Sequence, residues 1–230
     1  MTTISSEIFG LTLRTQDIAD VPQNDDWLSV GEREVLAGLR FVKRRNDWRL
    51  GRWTAKQAIQ AFLRITSDTD LSLLEIRAAA DGAPEAFIRK NPAGVMISIS
   101  HAAGRSLCAA DAPGTVLGCD IERLEPRGEL LAADYFTPEE IEFVREAVPE
   151  NKVLIPNLIW SAKESVLKAL REGLRLDTRD VSIQLDFTVQ ENGWADWTGR
   201  YRRISRDFHG RWRADAHFVY TVTCSNPNKS

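Results

Sequence analysis

With 230 residues, 43% of them hydrophobic and 27% charged, the chain has an ordinary globular composition, enough for one large domain or two small ones. A net charge of −3 gives no bulk attraction to nucleic acid or an anionic membrane, so any polyanion site must come from local clustering. No run approaches the roughly 20 apolar residues that span a bilayer.

The first residues, MTTISSEIFGLTLRTQD, lack a basic region followed by an apolar core. Cys108, Cys119 and Cys224 have no CxxC spacing, and His101, His209 and His217 form no zinc-like pattern with them. The expectation is a cytoplasmic protein with free thiols.

Ser29-Val30-Gly31-Glu32 has the form of a capping box and predicts a short helix to about Leu39. A longer helix is expected over Lys43–Ile65, with Trp48, Ala55, Ala58, Ile59 and Phe62 on its buried side. Arg45, Arg49, Arg52 and Lys56 share an adjoining stripe that contains no acid. Such a stripe reads either as a cleft wall that receives phosphates or as a basic face in solvent. Strand-like runs follow at 75–80, 86–90, 95–100, 106–111 and 115–122. The third ends in Ser100-His101 before the glycine-containing loop AAGR, a combination able to offer hydroxyl, imidazole and backbone N–H groups to an anion.

In VLGCDIERLEP, Asp120 and Glu122 stand two residues apart. On a strand they project from one face while Cys119 and Ile121 point from the other. Two like charges side by side repel, so the pair needs water, neighbouring cations or a hard divalent ion such as Mg²⁺. The plainer alternative is a strand end in solvent, with Arg123 or Arg127 as counter-ion.

Thr137-Pro138-Glu139-Glu140 combines an N-cap, a proline at the first helical position and a glutamate at the third, and predicts a helix to about Val148. A further helix is expected over 157–173, stopped by Gly173. Its Trp160, Glu164 and Lys168 rise along one stripe with Lys163 beside it. Taken alone, Lys163-Glu164 also fits an exposed ion pair. The remaining runs, 181–189, 195–204, 210–218 and 219–225, read as strands. Helices then strands occur twice, which points to two α+β halves meeting near Pro113, with no convincing sequence repeat between them.

Together these pieces resemble the Sfp-type 4′-phosphopantetheinyl transferases. Gly118-Cys119-Asp120-Ile121-Glu122 matches that family's G-x-D-x-E strand, and Trp160-Ser161-Ala162-Lys163-Glu164-Ser165-Val166-Leu167-Lys168-Ala169 its W-x-x-K-E-x-x-x-K-A helix. Ser98-Ile99-Ser100-His101, Phe136-Thr137-Pro138-Glu139-Glu140 and GRWTAKQAI (51–59) resemble three further elements in the family's order, and 168–174 resembles the usual tail of the second signature. The resemblance touches roughly residues 40 to 175. Two departures stand out: Gly82-Ala83-Pro84 replaces the family's G-K-P, whose lysine helps hold a 3′-phosphate, and Ala102 stands where relatives often have serine.

The resemblance implies an α+β fold of two similar halves, 1–113 and 114–230, related by a pseudo-twofold axis with the active site between them. It implies Mg²⁺-dependent transfer of the phosphopantetheine arm of coenzyme A to a serine of an acyl, peptidyl or aryl carrier protein, releasing 3′,5′-ADP. Asp120, Glu122 and Glu164 would hold the metal, Glu164 and Lys168 would be catalytic, and Arg45, Arg52, Ser100, His101, Lys163 and Lys168 would hold the coenzyme. The carrier would dock around Leu124–Phe136, and the enzyme would be a monomer without nucleic-acid or membrane partners. A non-catalytic coenzyme A or nucleotide sensor on the same fold, and an unrelated Mg²⁺-dependent phosphohydrolase, remain open as alternatives.

Overall fold

Ser29 and Glu32 close the predicted capping box. The Ser29 hydroxyl accepts from Glu32 N at 3.1 Å, the Glu32 carboxylate accepts from Ser29 N at 2.9 Å, and α1 runs Val30–Gly38. The computed structural model describes residues 5–8, 10–66, 69–172 and 175–225. The chain divides into two units, Met1–Leu117 and Gly118–Ser230, and each is an α+β assembly of one antiparallel sheet with a long helix laid on it.

In the first unit the sheet has the order β1-β2-β6-β5-β4-β3. The strands are β1 (Ser5–Ile8), β2 (Leu11–Asp17), β3 (Leu74–Ala78), β4 (Pro84–Ile88), β5 (Asn91–Ala102) and β6 (Arg105–Asp111). Helix α2 (Val42–Leu63) packs on β2, β5 and β6. Ala55, Ala58 and Ile59, expected on its buried side, meet Ile76, Ile97, Cys108 and Ala110 in the core. The helix stops at Arg64, which takes a left-handed conformation with φ 53°. Strands β1 and β2 were not among the elements expected from the sequence.

In the second unit the order is β7-β11-β10-β9-β8. These are β7 (Val116–Arg123), which begins two residues before the unit boundary, β8 (Val181–Leu185), β9 (Ala195–Tyr201), β10 (Arg206–Ala214) and β11 (Phe218–Ser225). Helices α3 (Glu129–Tyr135), α4 (Pro138–Glu146) and α5 (Leu154–Ala169) complete it, with α5 packed on β11 and β8. The run expected as one strand over 210–218 breaks after Ala214, because the Asp215 carboxylate accepts from His217 N and Phe218 N and turns the chain. Gly173, expected to stop α5, and Leu174 lie outside the described residues. No helix among the described residues is long and apolar enough to cross a membrane.

A repeat that the sequence did not disclose is written in buried charge. In the first unit, Glu32 accepts from Ile76 N at 3.1 Å and from Lys56 Nζ at 2.6 Å, and Lys56 also donates to the Trp27 and Leu71 carbonyls. In the second, α4 opens on a Thr137–Glu140 capping box. Glu140 accepts from Ile183 N at 2.8 Å and pairs with Lys163 at 2.8 Å, while Lys163 donates to the Thr178 and Val181 carbonyls. Trp53-Thr54-Ala55-Lys56 and Trp160-Ser161-Ala162-Lys163 therefore occupy equivalent helix turns.

Candidate active site

Helix α5 approaches β7 closely enough to require glycine. A Cβ on Gly118 would lie 1.9 Å from the Ser165 carbonyl oxygen and 2.9 Å from Ala169 N. The helix is tied down by small hydroxyl residues: the Thr221 Oγ1 on β11 lies 2.9 Å from Ser161 Oγ and 2.8 Å from Ser165 Oγ, and donates to Ser161 O. This contact brings the polar stripe of α5 to the carboxylate-bearing end of β7. Cys119 and Ile121 go into the core, as strand alternation predicts.

Asp120 is buried, and its Oδ1 accepts from Lys168 Nζ at 2.7 Å, while Lys168 also reaches the Cys119 carbonyl at 3.2 Å. Both Glu122 oxygens are clamped: Trp160 Nε1 donates to Oε1 at 2.8 Å and Arg127 Nη2 to Oε2 at 2.7 Å. Arg127 is held in turn by Asn157 Oδ1, and Asn157 by the Glu125 and Val153 carbonyls. Glu164 is half-buried on α5, and no hydrogen bond is found at its carboxylate among the described residues.

Electrostatics binds the three acids into one group. Burial first, then the Asp120 charge, with a smaller push from Glu122, raises the Glu164 pKa to about 7 against the pull of Lys168. Burial and Asp120 raise Glu122 as well, opposed by Arg127 and Trp160. Burial pulls Lys168 down, but Asp120 and its neighbours outweigh it, and the net shift is upward, so Lys168 stays charged.

Among the described residues, no three such groups stand together as a ready-made metal cage; Asp120 and Glu122 each already carry a protein cation. The donor set nonetheless fits a hard divalent ion. Mg²⁺ takes one or two carboxylates and completes its shell with phosphate and water, and burial followed by the Asp120 charge raises the pKa of both Glu122 and Glu164, a penalty that an added cation would relieve.

The first unit holds a pocket of about 230 Å³ in which three arginines, Arg44, Arg52 and Arg77, outnumber one acid, Asp47, with His101, Trp48 and Pro84 also in the lining. Arg52 stacks on Trp48 with 4.6 Å to the ring centroid, lies 3.9 Å from Glu32, and is only 17% exposed. Ile99 and His101 both line the pocket, being two apart on β5. Ser100, between them, is buried and lies outside the lining, so strand alternation removes it from the expected anion contact.

The structure corrects three other expectations in this region. Arg45 faces back to α1, its Nη1 donating to the Leu36 and Leu39 carbonyls, and the neighbouring Arg44 lines the pocket instead. Arg49 binds Asp25, and Lys56 is sealed against Glu32, so the acid-free stripe of α2 meets acids and carbonyls brought by other segments. Lys163 is fully buried, and its ammonium is filled by Glu140, Thr178 O and Val181 O, which leaves it no access to a coenzyme. Arg77 and Arg44 were missed because single arginines on a short strand and at a helix start carry no periodic signal. Arg127 had been weighed only as a counter-ion, and that it is.

Residues 116–221 match the model of the 4′-phosphopantetheinyl transferase superfamily. The chain is similar to the 4′-phosphopantetheinyl transferase HetI of Nostoc sp., 32% identical over 93 residues, which cover 39% of each chain. It is likewise similar to a 4′-phosphopantetheinyl transferase of Bacillus subtilis, 31% identical over 88 residues and 38% of each chain. The matches thus span about two fifths of those relatives' lengths. The crystal structure of a holo-[acyl-carrier-protein] synthase from Thermotoga maritima resembles 52% of this chain and 78% of that one, at 18% identity and a TM-score of 0.36.

Proposed function

From the match of residues 116–221 to the 4′-phosphopantetheinyl transferase superfamily model, we propose that the chain moves the phosphopantetheine arm of coenzyme A onto a serine hydroxyl of a carrier protein, releasing 3′,5′-ADP. The observation that carries this reading is Glu164. It is a carboxylate without a hydrogen-bond partner among the described residues, held near neutrality at about 7 beside two further acids and a charged lysine. With a divalent cation bound beside it the carboxylate would be ionised, and, having no hydrogen-bond donor of its own, it would be open to accept a hydroxyl proton.

Asp120, Glu122 and Glu164 would hold Mg²⁺, which supplies charge neutralisation for the pyrophosphate and the leaving group when bound. Glu164, directly or through water, takes the serine proton as the oxygen attacks phosphorus. Lys168, fixed on Asp120 Oδ1 and the Cys119 carbonyl, offers its remaining N–H to the transferring phosphoryl or the leaving oxygens. Trp160 and Arg127 set the orientation of Glu122. In the first unit, Arg44, Arg52, Arg77 and His101 make a cationic seat suited to the 3′-phosphate of the coenzyme, with the Trp48 face beside it.

The test is intact-protein mass spectrometry of an apo carrier protein incubated with this protein, coenzyme A and Mg²⁺. The expected result is a gain of one phosphopantetheine, absent with EDTA or with the carrier serine replaced by alanine. Coenzyme A binding without transfer to any acyl, peptidyl or aryl carrier would instead identify a coenzyme sensor.

A further inference from the structure

Arg127 belongs to two places at once. It clamps Glu122 Oε2 at 2.7 Å, and the same side chain walls a groove of about 440 Å³ formed by α3, α4 and the start of α5. Leu131, Ile141 and Val144 give the groove an apolar lining, Arg145 and Lys152 add two further cations, and among the described residues no carboxylate lines it. Arg145 meets only the exposed Glu142, at 3.2 Å, and Lys152 donates to the Val144 and Arg145 carbonyls. An apolar lining with three cations is complementary to an amphipathic helix that carries acids around an apolar stripe.

We propose that Arg127 is a latch between this groove and the carboxylate group, released when an acidic helix of the acceptor protein occupies the groove. The inference rests on the transferase reading above. In the isolated chain one guanidinium charge balances Glu122, whose other oxygen accepts from Trp160 and which stands beside the like charge of Asp120. A helix carboxylate that enters the groove takes that guanidinium for itself. Glu122 is then left without its counter-charge, and its Oε2 would be available to a divalent ion. The carboxylates would thereby complete their metal site when the acceptor is present, which limits unproductive attack by water on the coenzyme. Arg127 is a positioning residue in this scheme: it acts through Glu122 and touches no reacting atom.

The experiment uses Mn²⁺ as the probe, its affinity measured by electron paramagnetic resonance on the full chain, with and without an apo carrier protein whose acceptor serine is alanine. The carrier should tighten Mn²⁺ binding by about tenfold, the equivalent of one modest ion-pair exchange. Arg127→Gln should bind Mn²⁺ tightly without carrier and gain nothing from it, whereas Arg127→Lys, which keeps the charge, should retain the response.

The indole N–H resonance of Trp160, which donates to Glu122 Oε1, should move when carrier is added to the unmodified protein. That readout stands even if a variant fails to fold. Carrier binding that leaves both the Mn²⁺ affinity and the Trp160 resonance unchanged overturns the latch, as does weaker Mn²⁺ binding in Arg127→Gln. Neither readout needs turnover, so they are separable from the mass-spectrometric result on which the transferase reading stands. If no Mn²⁺ binds with or without carrier, the latch is overturned together with the metal assignment.

Discussion

The Lys163 ammonium lies 2.8 Å from the Glu140 carboxylate with both side chains withdrawn from solvent. Truncating one partner of such a pair leaves the other charge buried and unbalanced, which costs about 3–5 kcal/mol. Lys163→Met is therefore expected to shift the urea midpoint sharply downward, and Lys56→Met, which orphans Glu32, to do the same in the first unit. A Lys163→Met protein with unaltered stability and weakened coenzyme binding would restore the lysine to the ligand.

The contrast between Lys163 and Lys168 shows how far the sequence was legible. That Asp120 stands with Glu122, and Glu164 with Lys168, was legible because strand and helix periods fix which side chains face together, while their assignment to a site came from the family resemblance. What periodicity cannot tell is which side of a helix another segment will cover. Lys56 and Lys163 looked like surface or ligand cations until the capping-box glutamates of α1 and α4 were found packed on them. Ser100 was a different failure, since alternation along β5 already places it opposite His101. The short elements β1 and α3 carry too few residues for a period to show, whereas Leu11, Leu13 and Thr15 of β2 do alternate and were legible in principle, and the internal repeat is visible only once Glu32 and Glu140 are seen in equivalent places.

Stability of the metal-free protein should depend on Glu164 in an unusual direction. Its carboxyl is pushed up to about 7 in the folded chain from the ordinary glutamate value of 4.5. Between those limits the native state keeps a proton that the unfolded state has released, so stability falls as pH rises through this window and levels off above it. The contribution is on the order of 2–3 kcal/mol, with solvent screening at a half-buried site favouring the lower figure. In EDTA, Glu164→Gln should flatten the melting-temperature profile between pH 4.5 and 7 and stabilise the protein at pH 8. A variant profile parallel to that of the wild type would show that Glu164 titrates normally.

Gly118 sets the distance between β7 and α5. Adding one methyl group there drives it into the Ser165 carbonyl, a backbone atom that cannot swing aside. Overpacking of this kind typically costs 1–3 kcal/mol, so Gly118→Ala should lose about 2 kcal/mol or more. Because relief must separate β7 from α5, the Asp120–Lys168 contact should open as well. The expected result is a loss of turnover in whatever fraction stays folded, read by the carrier mass shift at a temperature well below the melting point. Normal turnover per folded molecule would mean that the strand can move without disturbing the site.

Arg77 stands near the hairpin where Ala83 replaces the lysine expected from the family resemblance. It is held flat by a two-point pair with Glu75 at 2.9 and 3.1 Å and by stacking over Phe87, 4.4 Å from the ring centroid, and it lines the cationic pocket with Arg44, Arg52 and His101. A guanidinium fixed in this way can meet a phosphate in the plane it prefers. Arg77→Ala should raise KM for coenzyme A by about tenfold, the loss of one charge-assisted contact, with kcat retained. The discriminating substrate is dephospho-coenzyme A, which lacks the 3′-phosphate: the variant and the wild type should use it equally well. If Arg77→Ala weakens both substrates alike, the arginine shapes the pocket through Glu75 and Phe87, and the 3′-phosphate is held by Arg44, Arg52 and His101.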